Sequence, residues 1–246
     1  MKKSVSSLSR TERVTRVVYV LVLLSFVLPL AYLVWRIAAW QEAFVQETGR
    51  TRADYVLMLF QCLLGIVVIH LPTMLARRFQ FELPAALYLM YVLFLYGAIF
   101  LGEVRSFFYV VPHWDVYLHA FSAVMAGAFG FMAVALLNRS ERTPMQLSPF
   151  FVALFAFCFA VAIGALWEIY EYTVDGLLGL NMQKFITAEG DVLAGREALS
   201  DTMKDIVVDC LGALAVSVAG YFSLKARHGW ASDLIERYSQ RRMKRS

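Results

Sequence analysis

The chain has 246 residues, of which 60% are hydrophobic and only 17% charged, and its formal net charge is +4. With a mean hydropathy of +0.61, it carries more apolar surface than a soluble domain of this length can bury, which excludes a soluble globular protein. Six apolar stretches are long enough to cross a hydrocarbon core of ~30 Å. They cover residues 15–35, 55–76, 84–102, 114–137, 149–171 and 202–224. We predict an all-α, polytopic membrane protein whose residues 1–246 form a single domain, a six-transmembrane-helix bundle.

The distribution of basic residues predicts the orientation. With six spans, both termini lie on one side of the membrane, and sixteen of the 23 Lys and Arg residues fall on that side. The positive-inside rule then places both termini in the cytoplasm. The basic ends suit anionic lipid headgroups, so we expect membrane lipids as partners and no nucleic acid.

Spans 1 to 3 contain few polar residues. His70, toward the cytoplasmic end of span 2, is interpreted as a histidine hydrogen-bonded within the bundle rather than a ligand or a proton relay. The apolar run 105–112 is too short to cross the membrane, and we predict that it lies at the interface.

Polar residues gather where span 4 begins, span 5 ends and span 6 begins, which are all outer ends in this topology. Within each group the spacing of three or four residues places the side chains on one helix face. Small residues such as Gly130, Gly164 and Ala215 extend these faces and allow close helix packing. We therefore expect spans 4 to 6 to pack together and to bring the polar groups into one cluster. Those groups are Asp115 and His119; Glu168, Glu171 and Asp175; and Asp201, Asp205 and Asp209.

A capping and ion-pair network is the structural alternative for these acids. Asp115 and Asp201 lie in first helical turns, where the helix dipole favours negative charge. Glu168 and Glu171 lie at a helix C-terminus, where the dipole disfavours it. Asp209 lies about two turns into span 6, where an unpaired carboxylate costs up to about 2.5–3.5 kcal/mol. These costs favour a shared functional site.

Carboxylates combined with imidazole suit a divalent metal ion, Mg²⁺, Mn²⁺, Ca²⁺ or Zn²⁺, and helical bundles commonly house such sites. We predict four metal ligands, His119, Glu168, Asp205 and Asp115, of which the three carboxylates are also the candidate catalytic groups. The loop 176–200 could fold over this cluster as a lid. The residues expected to support the ligands or to contact an anionic substrate are Glu171, Asp201, Asp209, His113, Arg196 and Arg105.

Three motifs in the second half of the chain resemble a known family. WDxxxH at 114–119, WEIYE at 167–171 and SDTxxDxxxDxxGA at 200–213 are similar to a bacterial inner-membrane family of unknown function, within the wider VanZ-like group. That group has an Asp-x3-His helix start, a Glu at a helix end, and a later Arg and Ser-Asp stretch leading to Asp-x3-Asn-x2-Gly. Arg196, Asp205, Asp209 and Gly212 fall at corresponding spacings, with Asp209 in place of the Asn. The resemblance covers about residues 114–216 and implies that these polar residues form one site, without supplying a reaction.

These observations lead to one principal functional expectation and two alternatives. We expect a multi-pass protein of the bacterial inner membrane whose outward-facing site acts on a lipid-linked or anionic envelope substrate. Its reaction would be that of a metal-dependent membrane hydrolase or phosphotransferase. The alternatives are a cation- or proton-coupled transporter that uses the same carboxylates, and a non-catalytic envelope accessory protein.

Overall fold

The computed structural model describes residues 9–41, 45, 48–137, 147–187 and 189–243, with side chains described as far as residue 236. Within these residues six helices are long and apolar enough to cross a membrane, and no β-strand is present beyond an isolated bridge between Ile186 and Val192. The predicted all-α, polytopic fold is therefore confirmed. The basic segments 1–8, 138–146 and 244–246, which contribute to the predicted orientation, lie outside the described residues.

The chain divides into two compact units, residues 1–110 and 111–246. In the first unit, α1 is Arg10–Ala38, α2 is Arg52–Val68, α3 is Leu71–Arg78 and α4 is Ala85–Leu95, which continues as a π-helix over Tyr96–Val104. The predicted interfacial run contains only the four-residue helix α5, Phe107–Val110. Capping boxes fix where α1 and α2 begin, because Ser9 pairs with Glu12 and Thr51 pairs with Asp54.

The apolar core of the first unit forms where α1 packs against α2 and α4. Phe26, Cys62 and Val92 are fully buried there. The predicted second span is broken between α2 and α3, and tyrosines of α4 pair with backbone carbonyls at this break. Tyr91 donates to the Val68 carbonyl at 2.7 Å and Tyr88 to the Ile69 carbonyl at 3.1 Å. These bonds satisfy backbone groups that a bilayer could not hydrate.

The second unit contains α6 at Trp114–Leu137, α7 at Pro149–Leu178, α8 at Arg196–Lys225 and α9 at Trp230–Met243. The Ser148 side chain caps the start of α7, and Gly179 ends it in a left-handed conformation with φ of 62°. Both α7 and α8 extend beyond the apolar stretches predicted for spans 5 and 6. The extra turns carry Asp175 and Asp201.

Helices α6, α7 and α8 pack against one another pairwise, as predicted, and small residues lie where they approach. A Cβ atom added at Gly130 would lie 2.8 Å from the Ala156 Cα atom. One added at Gly212 would lie 3.0 Å from the Ala120 carbonyl oxygen. Side chains at these positions would force the helices apart, so the small residues set the distances between them.

One part of the predicted small-residue stripe is wrong. Ala215 is exposed, whereas Val216 lies on the buried face of α8 that continues from Asp209. At about 100° per residue, Ala215 is rotated by about 120° from Asp209, but Val216 is rotated by only about 20°. The buried face of α8 therefore continues from Asp209 to Ala213 and Val216, which are four and seven residues further along the helix.

Candidate metal centre

His119 lies at the centre of the polar cluster. It is on α6, one turn after Asp115, and its side chain is only 6% exposed. Carboxylates on all three packed helices surround its imidazole ring: Asp115 of α6, Glu168 of α7, and Asp205 and Asp209 of α8. Four potential negative charges therefore face at most one positive charge from the imidazole.

Asp209 contacts the Nδ1 side of the imidazole. Both of its carboxylate oxygens lie 3.3 Å from Nδ1 of His119, and Asp209 is 2% exposed. A carboxylate on one ring nitrogen holds the imidazole in one orientation and favours a proton on that nitrogen. This arrangement leaves the other nitrogen, Nε2, available as an acceptor or ligand.

Nε2 of His119 faces two of the other carboxylates. It lies 3.8 Å from Oδ1 of Asp115 and 3.6 Å from Oε1 of Glu168. Asp115, His119 and Asp205 each offer one ligand atom within 4.8 Å of the others. Ligands on opposite sides of a divalent cation are separated by twice the metal–ligand distance, about 4.0–5.2 Å. The donor atoms are thus close enough together to share one cation.

Glu168 provides a further sign of a missing partner. The residue is only 5% exposed, and its buried Oε1 atom has no hydrogen-bond partner in the described part of the chain. A buried oxygen without a partner costs roughly 1–3 kcal/mol, and more when charged. The same atom is the one that faces Nε2 of His119, so a cation held between them would remove this cost.

Gly164 explains how Asp209 reaches the centre. It precedes Glu168 by one turn of α7, and a Cβ atom added there would overlap the Asp209 carboxylate. The small residue predicted to bring helices together therefore also makes room for the carboxylate that holds His119.

Two predicted supporting residues lie near the cluster, as does a lysine that the sequence did not single out. Glu171 and Asp201 both interact electrostatically with His119. Lys184, in the loop between α7 and α8, interacts in the same way with Asp115 and Glu171. Its Nζ atom also donates to the Asn181 carbonyl at 2.9 Å. The lysine is 16 residues along the chain from Glu168, so no helical spacing could have indicated its position.

Three other predicted supporting residues are placed differently. His113 precedes α6 in a left-handed conformation, with φ of 59°, and its side chain is exposed. Arg196 is the first residue of α8 and is exposed. Arg105 belongs to the first unit and is exposed there. The described contacts of the cluster include none of the three, and their proposed role with an anionic substrate stays a prediction.

Asp175 has a structural role instead of joining the cluster. Its two oxygens accept hydrogen bonds from the Met182 and Gln183 backbone N–H groups at 2.7 and 3.0 Å. Asn181 adds two bonds to the backbone of Ile186. These bonds fix the path of residues 179–187, the first part of the loop 179–195, beside the end of α7.

The fold and the site together define a class: a multi-pass membrane protein with a buried carboxylate–histidine cluster. The chain belongs to the family described as "Predicted membrane protein (DUF2238)", whose model matches residues 13–226. It is also 27% identical over 132 residues to an uncharacterized protein of Thermotoga maritima. That match covers 53% of this chain and 59% of the relative, so the chain spans less than two thirds of the relative's length. No solved structure matches the chain.

Proposed function

We propose that this protein holds a divalent metal ion at the carboxylate–histidine cluster and acts on a lipid-linked or anionic envelope substrate at a phosphate group. One observation carries the proposal: the buried Oε1 of Glu168 has no hydrogen-bond partner among the described residues and faces Nε2 of His119. Asp209 engages the opposite nitrogen of the same ring. A ligand histidine held by a carboxylate on its other nitrogen is the common arrangement in metal proteins.

The donor set fits the hard and borderline cations Mg²⁺, Mn²⁺, Ca²⁺ and Zn²⁺. Asp115, Asp205 and Glu168 supply oxygens and His119 supplies one nitrogen, which these cations accept. The proposed roles follow from the contacts. Asp209 holds the imidazole, the three other carboxylates hold the cation, and Lys184 offsets part of the remaining negative charge near Asp115.

A divalent cation bound here would supply a Lewis acid for a phosphoryl oxygen and would activate water as a nucleophile. The residues of the chain would position the reactants and manage protons. A ligand carboxylate has a second oxygen, which can accept a proton from the attacking water. Asp115 is the least buried of the four, at 38% exposed, so it is best placed to exchange that proton with solvent.

The family match supports a membrane protein of this kind, and the VanZ-like motifs, including WDxxxH and WEIYE, support grouping the polar residues into one site. We further propose the bacterial inner membrane as its location, with both termini in the cytoplasm and the cluster facing outward. The bacterial relative supports the bacterial location, and the distribution of Lys and Arg supports the orientation.

Metal analysis of the purified protein tests the proposal directly. We expect about one divalent ion per chain in the wild type, and loss of that ion in Glu168→Gln and Asp205→Asn. Glu197→Gln and Asp233→Asn serve as matched controls, because both residues are exposed helical acids and should leave the metal content unchanged. A wild-type protein without stoichiometric metal, after purification without chelator and addition of each cation, would overturn the proposal.

The same variants separate the alternatives. A transporter would move cations or protons into liposomes, and Glu168→Gln and Asp205→Asn would abolish that flux. A structural network would lose thermal stability in these variants without any metal to lose. Either result, in place of metal loss, counts against a metal-dependent activity on a phosphate.

A further inference from the structure

A large cavity lies beside the cluster in the second unit. Its volume is about 1010 Å³, which is the upper end of the range of about 300–1,000 Å³ for small-molecule sites. The C-terminal turns of α7, the first turns of α8 and the loop 179–195 form its walls. The lining is largely apolar and includes Ile169, Leu177, Phe185, Leu193, Leu199 and Ile206.

The cavity and the cluster share one side chain. Two carboxylates, Glu168 and Asp175, line the cavity. Asp175 is engaged by the backbone of the loop, whereas Oε1 of Glu168 faces Nε2 of His119. An apolar ligand in the cavity would therefore have one end beside the candidate metal centre.

The position of the cavity favours a lipid chain as its occupant. The walls contributed by α7 and α8 are the end turns of two helices that are long and apolar enough to cross a membrane, so a hydrocarbon chain can reach the cavity from the adjoining bilayer. Such a chain gains little hydrophobic free energy on entry, because it leaves one apolar environment for another. The cavity would thus position the chain, while selectivity and affinity come from the headgroup.

The charge of the cluster decides between headgroups. Four carboxylates around His119 would repel a phosphate unless a cation lies between them. With a divalent cation bound, phosphate oxygens can complete its coordination, as they do in sites where carboxylates hold Mg²⁺. A neutral headgroup lacks the charge needed for this interaction.

We infer that the cavity beside Glu168 holds a hydrocarbon chain of a phosphate-headed lipid, and that the lipid phosphate binds at the carboxylate–histidine cluster. This inference rests on the proposed metal site and narrows its substrate to a lipid phosphate. It assigns the walls of the cavity to substrate positioning, with Gln183, Phe185 and Leu193 of the loop forming one side.

Photolabelling in lipid nanodiscs tests the inference. The probe is phosphatidic acid with a diazirine in one acyl chain, added with Mg²⁺ or Mn²⁺, and the labelled residues are mapped by mass spectrometry. We expect labels on cavity residues such as Ile169 and Leu199. Unlabelled phosphatidic acid should reduce this labelling at least tenfold, whereas diacylglycerol should not. Chelation of the metal with EDTA should reduce it to a similar extent.

A pair of substitutions on α8 provides the structural control. Ala198 lines the cavity, so Ala198→Trp should fill it and reduce the labelling at least tenfold while the metal content stays at the wild-type level. Ala215 is exposed on the same helix, so Ala215→Trp should change neither quantity. The retained metal shows that Ala198→Trp is folded, and the competition experiment does not depend on either variant.

The outcomes separate this inference from the proposed function. Metal-loaded protein whose cavity is labelled equally by phosphatidic acid and diacylglycerol probes would overturn the inference and leave the metal site intact. Labels found only outside the cavity would do the same. A protein that binds no metal overturns the proposed function, whatever the pattern of labelling.

Discussion

The two units bury their polar side chains in different ways. In the first unit, donors and acceptors meet in pairs: Arg36 donates to the Tyr55 hydroxyl at 3.0 Å, and Tyr19 lies 3.3 Å from Nδ1 of His70. Buried Glu103 also has a partner. In the second unit, four carboxylates converge on His119, and Oε1 of Glu168 has no hydrogen-bond partner in the described residues.

The difference separates structural polar groups from a binding site. A pair such as Tyr19 and His70 places a donor against an acceptor and needs no added charge. The cluster around His119 has more acceptors than donors, and only an added cation or protons can balance it. The comparison therefore predicts that metal chemistry is confined to the second unit, and that substitutions of equal size in the two units have different effects.

The largest expected contrast is between His119, which is buried, and His70, which is half-buried. His119→Ala removes the only imidazole of the cluster, and metal affinity should fall by more than the roughly 10–100-fold typical for loss of a residue that merely supports a ligand. His70→Ala removes one hydrogen bond and should cost only about 0.5–1.5 kcal/mol of stability, with metal affinity unchanged. Isothermal titration with Mn²⁺ and thermal melts measure the two effects. Equal metal binding by both variants would contradict the distinction between the units.

The next effect tests the orientation of His119. Asp209→Asn keeps the shape of the side chain but removes the charge that holds the Nδ1 proton, so metal affinity should fall by about 10–100-fold. Asp201→Asn, about two turns before Asp209 on the same helix face, should reduce it by less than about threefold, because the charge is farther from the ring nitrogens and more hydrated. The same titration compares the two variants. Equal losses would show that overall charge, and not the contact with Nδ1, governs the affinity.

The sequence predicted the parts of this site that depend on helical spacing. Asp115 and His119 are four residues apart, as are Asp205 and Asp209, so each pair shares a helix face in any α-helix. The close packing of α6, α7 and α8 followed from small residues such as Gly164. The interpretation of His70 as a hydrogen-bonded histidine is confirmed by its contact with Tyr19.

Other parts of the site depend on helix rotation and on the path of a loop. Nothing in the spacing shows that Asp209 contacts Nδ1 while Glu168 faces Nε2 of the same ring. Asp175 shares a helical face with Glu168 in sequence, yet it hydrogen-bonds to the loop because α7 ends only four residues later, at Gly179. The position of Lys184 follows from the fold of the loop, which no periodic pattern encodes.

The smallest expected difference between the units concerns two glycines at helix crossings, one in each unit. A Cβ atom at Gly65 would lie 2.8 Å from Cδ1 of Ile99, in the apolar core of the first unit. One at Gly164 would meet the Asp209 carboxylate. We expect both Gly→Ala variants to lose about 1–3 kcal/mol of stability through overpacking. Only Gly164→Ala should also weaken Mn²⁺ binding, by several-fold, because the displaced carboxylate no longer holds His119.

Gly176→Ala, where an added Cβ meets nothing within 4 Å, controls for the substitution itself. Unchanged metal affinity in Gly164→Ala, at the expected loss of stability, would show that Asp209 does not position the histidine and that the two units tolerate added volume in the same way.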